Sequence, residues 1–512
     1  MAVVVCLFSA DRAVSAGPAT TSPATVAPAS APDVKTLVGQ LAGDDPAVRE
    51  QAFRTIIDTG DAALLASLDE ALADADRATR VAVKPVKDLL KNKLNLASDS
   101  EEARRSAAAD LGTSGQLSAV PWLEQAAAKE SSRWVRYAME ESAAVLQLTA
   151  GDEPAKIKAA SALGSLRSQN GLPALKDLAQ QLSGDAASGA AGKPVLLAAQ
   201  AAIDQIELWG TWSNVFETVF RGISLSSILL IMSLGLAIVF GLMGVINMAH
   251  GELMMVGAYA TFVTQELFRS YAPAGLFDSY FLVSMPVSFL VAGLCGLILE
   301  ATIIRFLYGR PLETMLATWG VSLVLIQAAR VYFGDLTAVT APAWLSGGVQ
   351  VMVGVYLPYN RLFIIVLSIL CVTGIYAVLF RSNLGLRVRA VTQNRNMSAC
   401  LGIPTRKVDA YTFAFGSGLA GLAGCALTLV GNVEPGLGQN YIVDSFMVVV
   451  TGGVGKLAGT IVAALGIGSL NKFLEPSFGA VYGKVLILVL VILFLQRRPS
   501  GLFAIKGRHA DS

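Results

Sequence analysis

Apolar and polar positions divide the chain into two unlike halves. Between residues 33 and 208 apolar residues recur every three or four positions among charged ones and Ala-rich runs, the period of amphipathic helices. From Ile223 to Gln496 the charges thin out, and uncharged runs approach the ~20 residues that a helix needs to cross a bilayer. Helices are required there because lipid offers backbone groups no hydrogen-bond partner. Spans are expected near 222–246, 252–267, 279–304, 314–333, 361–380, 408–431 and 480–496, with an apolar stretch interrupted by glycines at 441–472. In that stretch Thr451-Gly452-Gly453-Val454-Gly455-Lys456 is a natural helix break, and broken helices at membrane depth line cavities. A discontinuous or re-entrant element is therefore expected. The predicted fold class is all-α: a polytopic transmembrane helix bundle of about eight segments over 213–505, preceded by an α-helical domain over 33–208.

The helical half repeats weakly. Arg105 to Gly112, followed by Ala119-Val120-Pro121-Trp122-Leu123, returns as Ala159 to Gly164, followed by Leu172-Pro173-Ala174-Leu175. Each copy reads as a helix ended by glycine and a next one opened by proline. With a looser copy from Asp45-Pro46, the pattern is HEAT-like and expects stacked helix pairs offering a docking surface. A spacer of Ala-rich helices with no partner explains it equally well. Ahead of this half, Val3 to Ala10 with Val14-Ser15-Ala16 suits an export signal over 1–16 that lacks the usual basic start. The Pro/Ala/Ser/Thr stretch over 17–32 reads as a disordered linker.

Charge adds orientation. The chain is 15% charged with a net charge of +1, so no global field recruits nucleic acid. Between Arg381 and Val408, however, Arg381, Arg387, Arg389, Arg395, Arg406 and Lys407 meet no acidic residue, which marks a cytoplasmic loop. Arg305, Arg310 and the tail residues Arg497, Arg498, Lys506 and Arg508 belong on the same side. The loop from Gly334 to Asn360 carries Asp335 and no lysine or arginine, and faces out. The helical half is then external and the C-terminus cytoplasmic. A cysteine placed at Ser398 would report on this topology. Five cysteines, none between 33 and 208, and two histidines leave no disulfide framework, metal centre or resident cofactor to propose.

Three strings are familiar in order: Gly241-Leu-Met-Gly-Val-Ile-Asn-Met-Ala-His250-Gly-Glu252; Leu384-Gly-Leu-Arg-Val-Arg-Ala-Val-Thr-Gln-Asn394 before Leu401-Gly402-Ile403; and Arg497-Arg-Pro-Ser-Gly-Leu-Phe503. Over roughly 290 residues the membrane half resembles the permease subunits of the branched-chain amino acid ABC importer family and, within it, the urea-importer permeases. The resemblance implies an inner-membrane subunit that pairs with a second permease, two ATPases that bind ATP and Mg, and a periplasmic solute-binding protein. Urea is the leading solute, with branched-chain amino acids or a passive urea channel as alternatives.

Two groups of residues carry candidate chemistry. A rigid, basic cytoplasmic helix over 381–407 suits docking to an ATPase, with Gly385, Leu386, Arg387, Arg389, Gln393, Asn394, Met397, Leu401 and Gly402 as the coupling residues. The positive-inside rule alone would explain its charge but not its length. Asn247, His250 and Glu252 interrupt apolar sequence, and with Gly452 and Gly453 they are candidates for the substrate pathway, where donors and acceptors could replace the hydration of a neutral diamide. Capping and satisfaction of broken-helix backbone is the competing role for these polar groups. No nucleophile accompanies them, so no enzyme is expected. Gly416-Ser-Gly-Leu-Ala-Gly421 mimics a phosphate loop but lies inside a span, where small residues serve helix packing. Near Gly453-Val-Gly-Lys456 the phosphate-loop pattern fails, because 450 is Val and 457 is Leu.

Overall fold

The computed structural model describes residues 34–503 except 44, 60, 74, 185–191 and 500. The export signal expected over 1–16 and the linker over 17–32 lie outside them. The chain forms two compact units: residues up to 163 with 173–199, and 164–172 with everything from 200 onward.

In the first unit α1 (Val34–Ala42), α2 (Pro46–Thr59), α3 (Ala62–Ala73) and α4 (Arg77–Asn95) enclose Leu37, Ile56, Leu68, Val83 and Leu90. Next, α5 (Glu101–Thr113), α6 (Val120–Lys129) and α7 (Arg133–Ala150) close around Leu111, Leu123, Met139 and Leu146. Side-chain oxygens start two of these helices: Asp76 accepts from the Thr79 N–H at 3.0 Å and Ser100 from the Ala103 N–H at 3.4 Å. Arg104 forks onto Glu130 at 2.7 and 3.1 Å and ties α5 to the end of α6. The glycines expected to end helices do not. Helix α5 runs through Gly112, and α8 (Glu153–Leu166), ahead of α9 (Leu172–Gly184), runs through Gly164. A Cβ on Gly112 would sit 2.7 Å from Ser142 Cβ, so this glycine lets α7 approach α5 instead of ending the helix.

The membrane half comprises α10 (Gly192–Ile238), α11 (His250–Tyr271), α12 (Tyr280–Thr302), α13 (Pro311–Phe333), α14 (Tyr359–Arg381), α15 (Asn383–Gln393), α16 (Arg395–Cys400), α17 (Thr405–Leu427), α18 (Leu437–Gly452) and α19 (Leu457–Arg497). Among the described residues six segments are long and apolar enough to cross a membrane, containing α10, α12, α13, α14, α17 and α19. The expected eight are reduced because α11 carries Glu252, Gln265, Glu266 and Arg269 and α18 has only 16 residues. The first span also ends earlier than 246: α10 gives way to a π-helical turn over Val239–Met243, and Gly244 turns the chain at φ 68°.

Glycines set the interior spacing. Gly421 packs on Ala292 and Ser288 of α12, Gly424 on the Met254 carbonyl of α11, and Gly418 on Phe289, so the string that mimicked a phosphate loop is a packing surface. Around it Met232, Met254, Phe281, Phe413 and Leu437 are buried together. The 441–472 stretch is broken where the glycines predicted: α18 stops at Gly452, and Gly453 and Gly455 take positive φ of 95° and 80° before α19 begins. Helix α19 is interrupted again at Gly479, φ 77°. The tail returns to the first break. The Leu502 N–H donates to the Thr451 carbonyl at 2.8 Å, Gly501 lies against Gly453, and Phe503 lies against Gly459.

All-α needs one correction. Gly348–Met352 (β1) and Val355–Pro358 (β2) form an antiparallel hairpin, pairing Gly348 with Pro358 and turning at Gly354, φ 80°. The alternating Val349, Val351, Val355 and Leu357 with a turn glycine favour strands. The Trp209 indole N–H donates to the Val353 carbonyl at 2.9 Å.

Candidate functional site

The segment expected as one coupling helix is two. Ser382, extended at φ −104°, ψ 155°, separates α15 from α14, and its hydroxyl accepts from the Gly385 N–H at 3.1 Å. Gly385 is therefore in the first turn of α15 and not at its edge. It sits so tightly on the Val378 and Leu379 carbonyls that any Cβ would overlap them. Asn394 leaves the helix at φ −151°, ψ 102° and caps α16 by accepting from the Met397 N–H at 2.9 Å. Gly402, φ 81°, then turns the chain toward α17.

Buried Val388, Val391 and Val408, with half-buried Ile403, hold this pair of short helices together. The opposite face is exposed: Arg387, Arg389, Gln393 and Asn394 lie there with Leu386 (60% exposed), Met397 (58%) and Leu401 (75%). Isolated exposed apolar residues are ordinary, but two leucines and a methionine on one short segment beside two arginines form a surface suited to a protein partner. Ser398, by contrast, is buried, whereas the native Cys400 is exposed.

Asn247, His250 and Glu252 are all buried where α10 hands over to α11, but they face different neighbours, His250 toward Met232 of α10 and Glu252 toward Ser322 of α13. Asn247 Oδ1 accepts from the Ala249 N–H at 3.0 Å, which is the backbone-satisfying role, and His250 Nε2 lies 3.3 Å from the Met232 carbonyl. The other ends of these groups, Asn247 Nδ2, His250 Nδ1 and Glu252 Oε2, have no partner within the described residues. Unpaired polar atoms at such depth cost roughly 1–3 kcal/mol each, a cost that a bound polar solute would remove. Gly452 and Gly453 are elsewhere. Gly438 touches Gly251, and 14 helical residues place Gly452 about 21 Å further along α18, against Gly459.

Sequence reasoning missed a second cluster. Asp409, buried one turn into α17, pairs with Arg395, whose guanidinium lies 4.9 Å over the Tyr308 ring. Buried Glu300 of α12 is in electrostatic reach of Asp409. An acidic residue just inside an apolar span was the available signal.

The chain matches the family described as branched-chain amino acid transport system / permease component over residues 218–495. It is 31% identical over 298 residues to the high-affinity branched-chain amino acid transport system permease protein BraD of Pseudomonas aeruginosa, covering 56% of this chain and 95% of that protein. To the corresponding LivH protein of Escherichia coli K12 it is 26% identical over 303 residues, covering 56% and 94%. The ribose import permease protein RbsC of Bacillus subtilis matches at 28% over 137 residues, 25% of this chain and 42% of that protein. No solved structure matches significantly. Family membership implies a membrane location, ATPase and solute-binding partners, and transport without catalysis by this subunit. With the family model matched across most of the membrane half, this chain belongs to the branched-chain amino acid ABC transporter permease family.

Proposed function

We propose that this subunit forms the translocation pathway of an inner-membrane importer for urea or a small amide, working by ATP-coupled alternating access. Two ATPase subunits hold ATP and Mg, a second permease completes the pathway, and a periplasmic binding protein delivers solute. The α15–α16 face docks the ATPases from the cytoplasm, and the HEAT-like segment over 33–208 lies outside as a docking platform. The observation that carries the urea reading is the buried trio Asn247, His250 and Glu252, whose unpaired donor and acceptor atoms complement a neutral diamide. Uptake of labelled urea and labelled leucine by proteoliposomes holding the complete importer tests it; leucine uptake without urea uptake rejects it. Vanadate-insensitive urea flux would instead support a passive channel. Replacing Arg387 and Arg389 together with Glu abolishes uptake without preventing insertion, and normal uptake by that variant removes the docking assignment.

One observation favours branched-chain amino acids. A cavity of about 270 Å³ between the end of α17 and the starts of α18 and the second part of α19 sets Glu434 and Lys484 against the apolar Leu427 and Leu437. Glu434 accepts from Asn440 Nδ2 at 3.0 Å, and Lys484 donates to the Asn440 carbonyl at 3.1 Å. Opposite charges flanking greasy room suit a zwitterion with an apolar side chain. On this reading Lys484→Met raises KM for leucine, and an unchanged KM counts against it.

A further inference from the structure

We infer that the Arg395–Asp409 pair is the strut through which displacement of α15–α16 moves the membrane helices, with Arg395 as a positioning residue; this rests on the reading that α15–α16 docks the ATPases. The covalent joints of the segment are poor transmitters. Toward α14 it is joined through the single extended residue Ser382, and toward α17 through the Gly402 turn at φ 81°. The Gly402 joint is hinge-like backbone, whereas α15 is packed closely on the end of α14 at Gly385, so a push on the docking face reaches α12 and α17 through side-chain contacts.

Gly385 and Arg389 tie the segment to α14; toward α12 and α17 two contacts carry it, and they differ in kind. The Val388, Val391, Ile403 and Val408 seam is apolar and non-directional, and permits sliding. The ion pair is directional. Asp409 has a side chain only 4% exposed and Arg395 is its hydrogen-bonding partner, so separating them strands a buried carboxylate. Asn394 fixes the geometry: its cap on α16 makes Arg395 the first helical residue, from which it reaches Asp409 of α17. The guanidinium also stacks on Tyr308, in the connection between α12 and α13. One cation thus touches α17 and the α12–α13 connection at once.

Glu300 supplies a reason for two states. It is buried at the end of α12, its Oε1 has no partner among the described residues, and the charges of Asp409, Arg305 and Arg406 all reach it. With Arg395 in place the Asp409 charge is compensated. With Arg395 withdrawn, the Asp409 charge in reach of Glu300 loses its compensating partner, which disfavours the present spacing of α12 and α17. Docking that tugs on α16 therefore shifts the spacing of the very helices that Gly421 holds against Ala292.

The test uses the complete importer, with its ATPases, in proteoliposomes, and reads ATPase capture, ATP hydrolysis and solute uptake separately. Arg395→Met should capture ATPase subunits normally and hydrolyse ATP within about twofold of the parent, while uptake per ATP falls roughly tenfold. The exchange variant R395D/D409R should recover much of that loss, and Asp409→Asn, which preserves shape, should uncouple like Arg395→Met. Unchanged uptake per ATP in both single variants overturns the strut, as does loss of ATPase capture in Arg395→Met. Failure of all three variants to accumulate would make the pair purely structural and equally overturn it. The docking reading fails separately, if R387E/R389E still captures the ATPases.

Discussion

A very close helix approach in the membrane half, α17 on α11, yields the sharpest test. At Gly424 an alanine Cβ would lie 2.9 Å from the Ala258 amide nitrogen and would overlap the Met254 carbonyl oxygen outright. Both obstacles are backbone, so no rotamer change relieves them and α11 must withdraw from α17. Overpacking of this kind costs about 1–3 kcal/mol, and the opposing helix-propensity gain of Ala over Gly is about 0.5–1 kcal/mol. A net loss of about 1 kcal/mol is expected for Gly424→Ala, or roughly 2–4 °C in thermal midpoint on the scaling of a soluble domain of about 150–250 residues. Gly320 in α13 and Gly374 in α14 are internal controls, because nothing lies within 4 Å of a Cβ at either. Gly320→Ala and Gly374→Ala should be neutral or slightly stabilising. Thermal unfolding of the purified protein in one detergent, followed by tryptophan emission or by cysteine accessibility at buried Cys425, gives the comparison. If Gly424→Ala melts with Gly374→Ala, the α11–α17 contact is not as tight as described and the packing argument fails.

Other expectations are independent of that one. The exposed native Cys400 should react with a membrane-impermeant maleimide in inside-out vesicles and not in intact cells; the opposite result inverts the proposed topology. Lys484→Met should destabilise by roughly 2–3 kcal/mol, because it leaves buried Asp444 without the ammonium 3.3 Å away, and the double variant K484M/D444L should regain most of that; a fully additive loss in the double variant contradicts this pairing. In the first unit, the Arg104 fork and the Ser132 N–H hold the Glu130 carboxyl below its usual 4.5. The depressed folded value means its stabilisation is present above pH 4.5 and disappears as pH falls through the folded value. Glu130→Gln should therefore lower thermal stability at pH 7 and lose that difference under strongly acidic conditions; a pH-independent difference would assign the effect to packing.

Much of the fold was legible because lipid simplifies the code. Long uncharged runs and Gly/Pro interruptions located α12, α13, α14 and α17, and the glycines at 452, 453 and 455 located the break between α18 and α19. Helix α11 was read as a span near 252–267 although it is more polar than its neighbours; part of that polarity is satisfied inside the bundle, where Gln265 accepts from the Thr340 N–H at 2.8 Å and Thr261 and Ser288 pair at 2.9 Å, while Glu252 Oε2 has no partner among the described residues. Gly112 and Gly164 were misread as terminators because sequence does not say whether a glycine serves conformation or proximity. At the candidate site, positive charge marked the basic segment of α15 and α16 but not its inner contacts. Arg395 counted as one more cytoplasmic cation until Asp409, a single turn into the next span, was seen beneath it.

The stitch between the tail and the first helix break has a consequence for biogenesis. Residues 501–503 emerge from the ribosome after every helix they fasten, so Thr451, Gly453 and Gly459 lack their tail contacts until synthesis has passed the last span. A nascent chain halted at Arg498 would hold all its hydrophobic segments and still lack its clasp, presenting quality-control proteases with an inserted but open molecule.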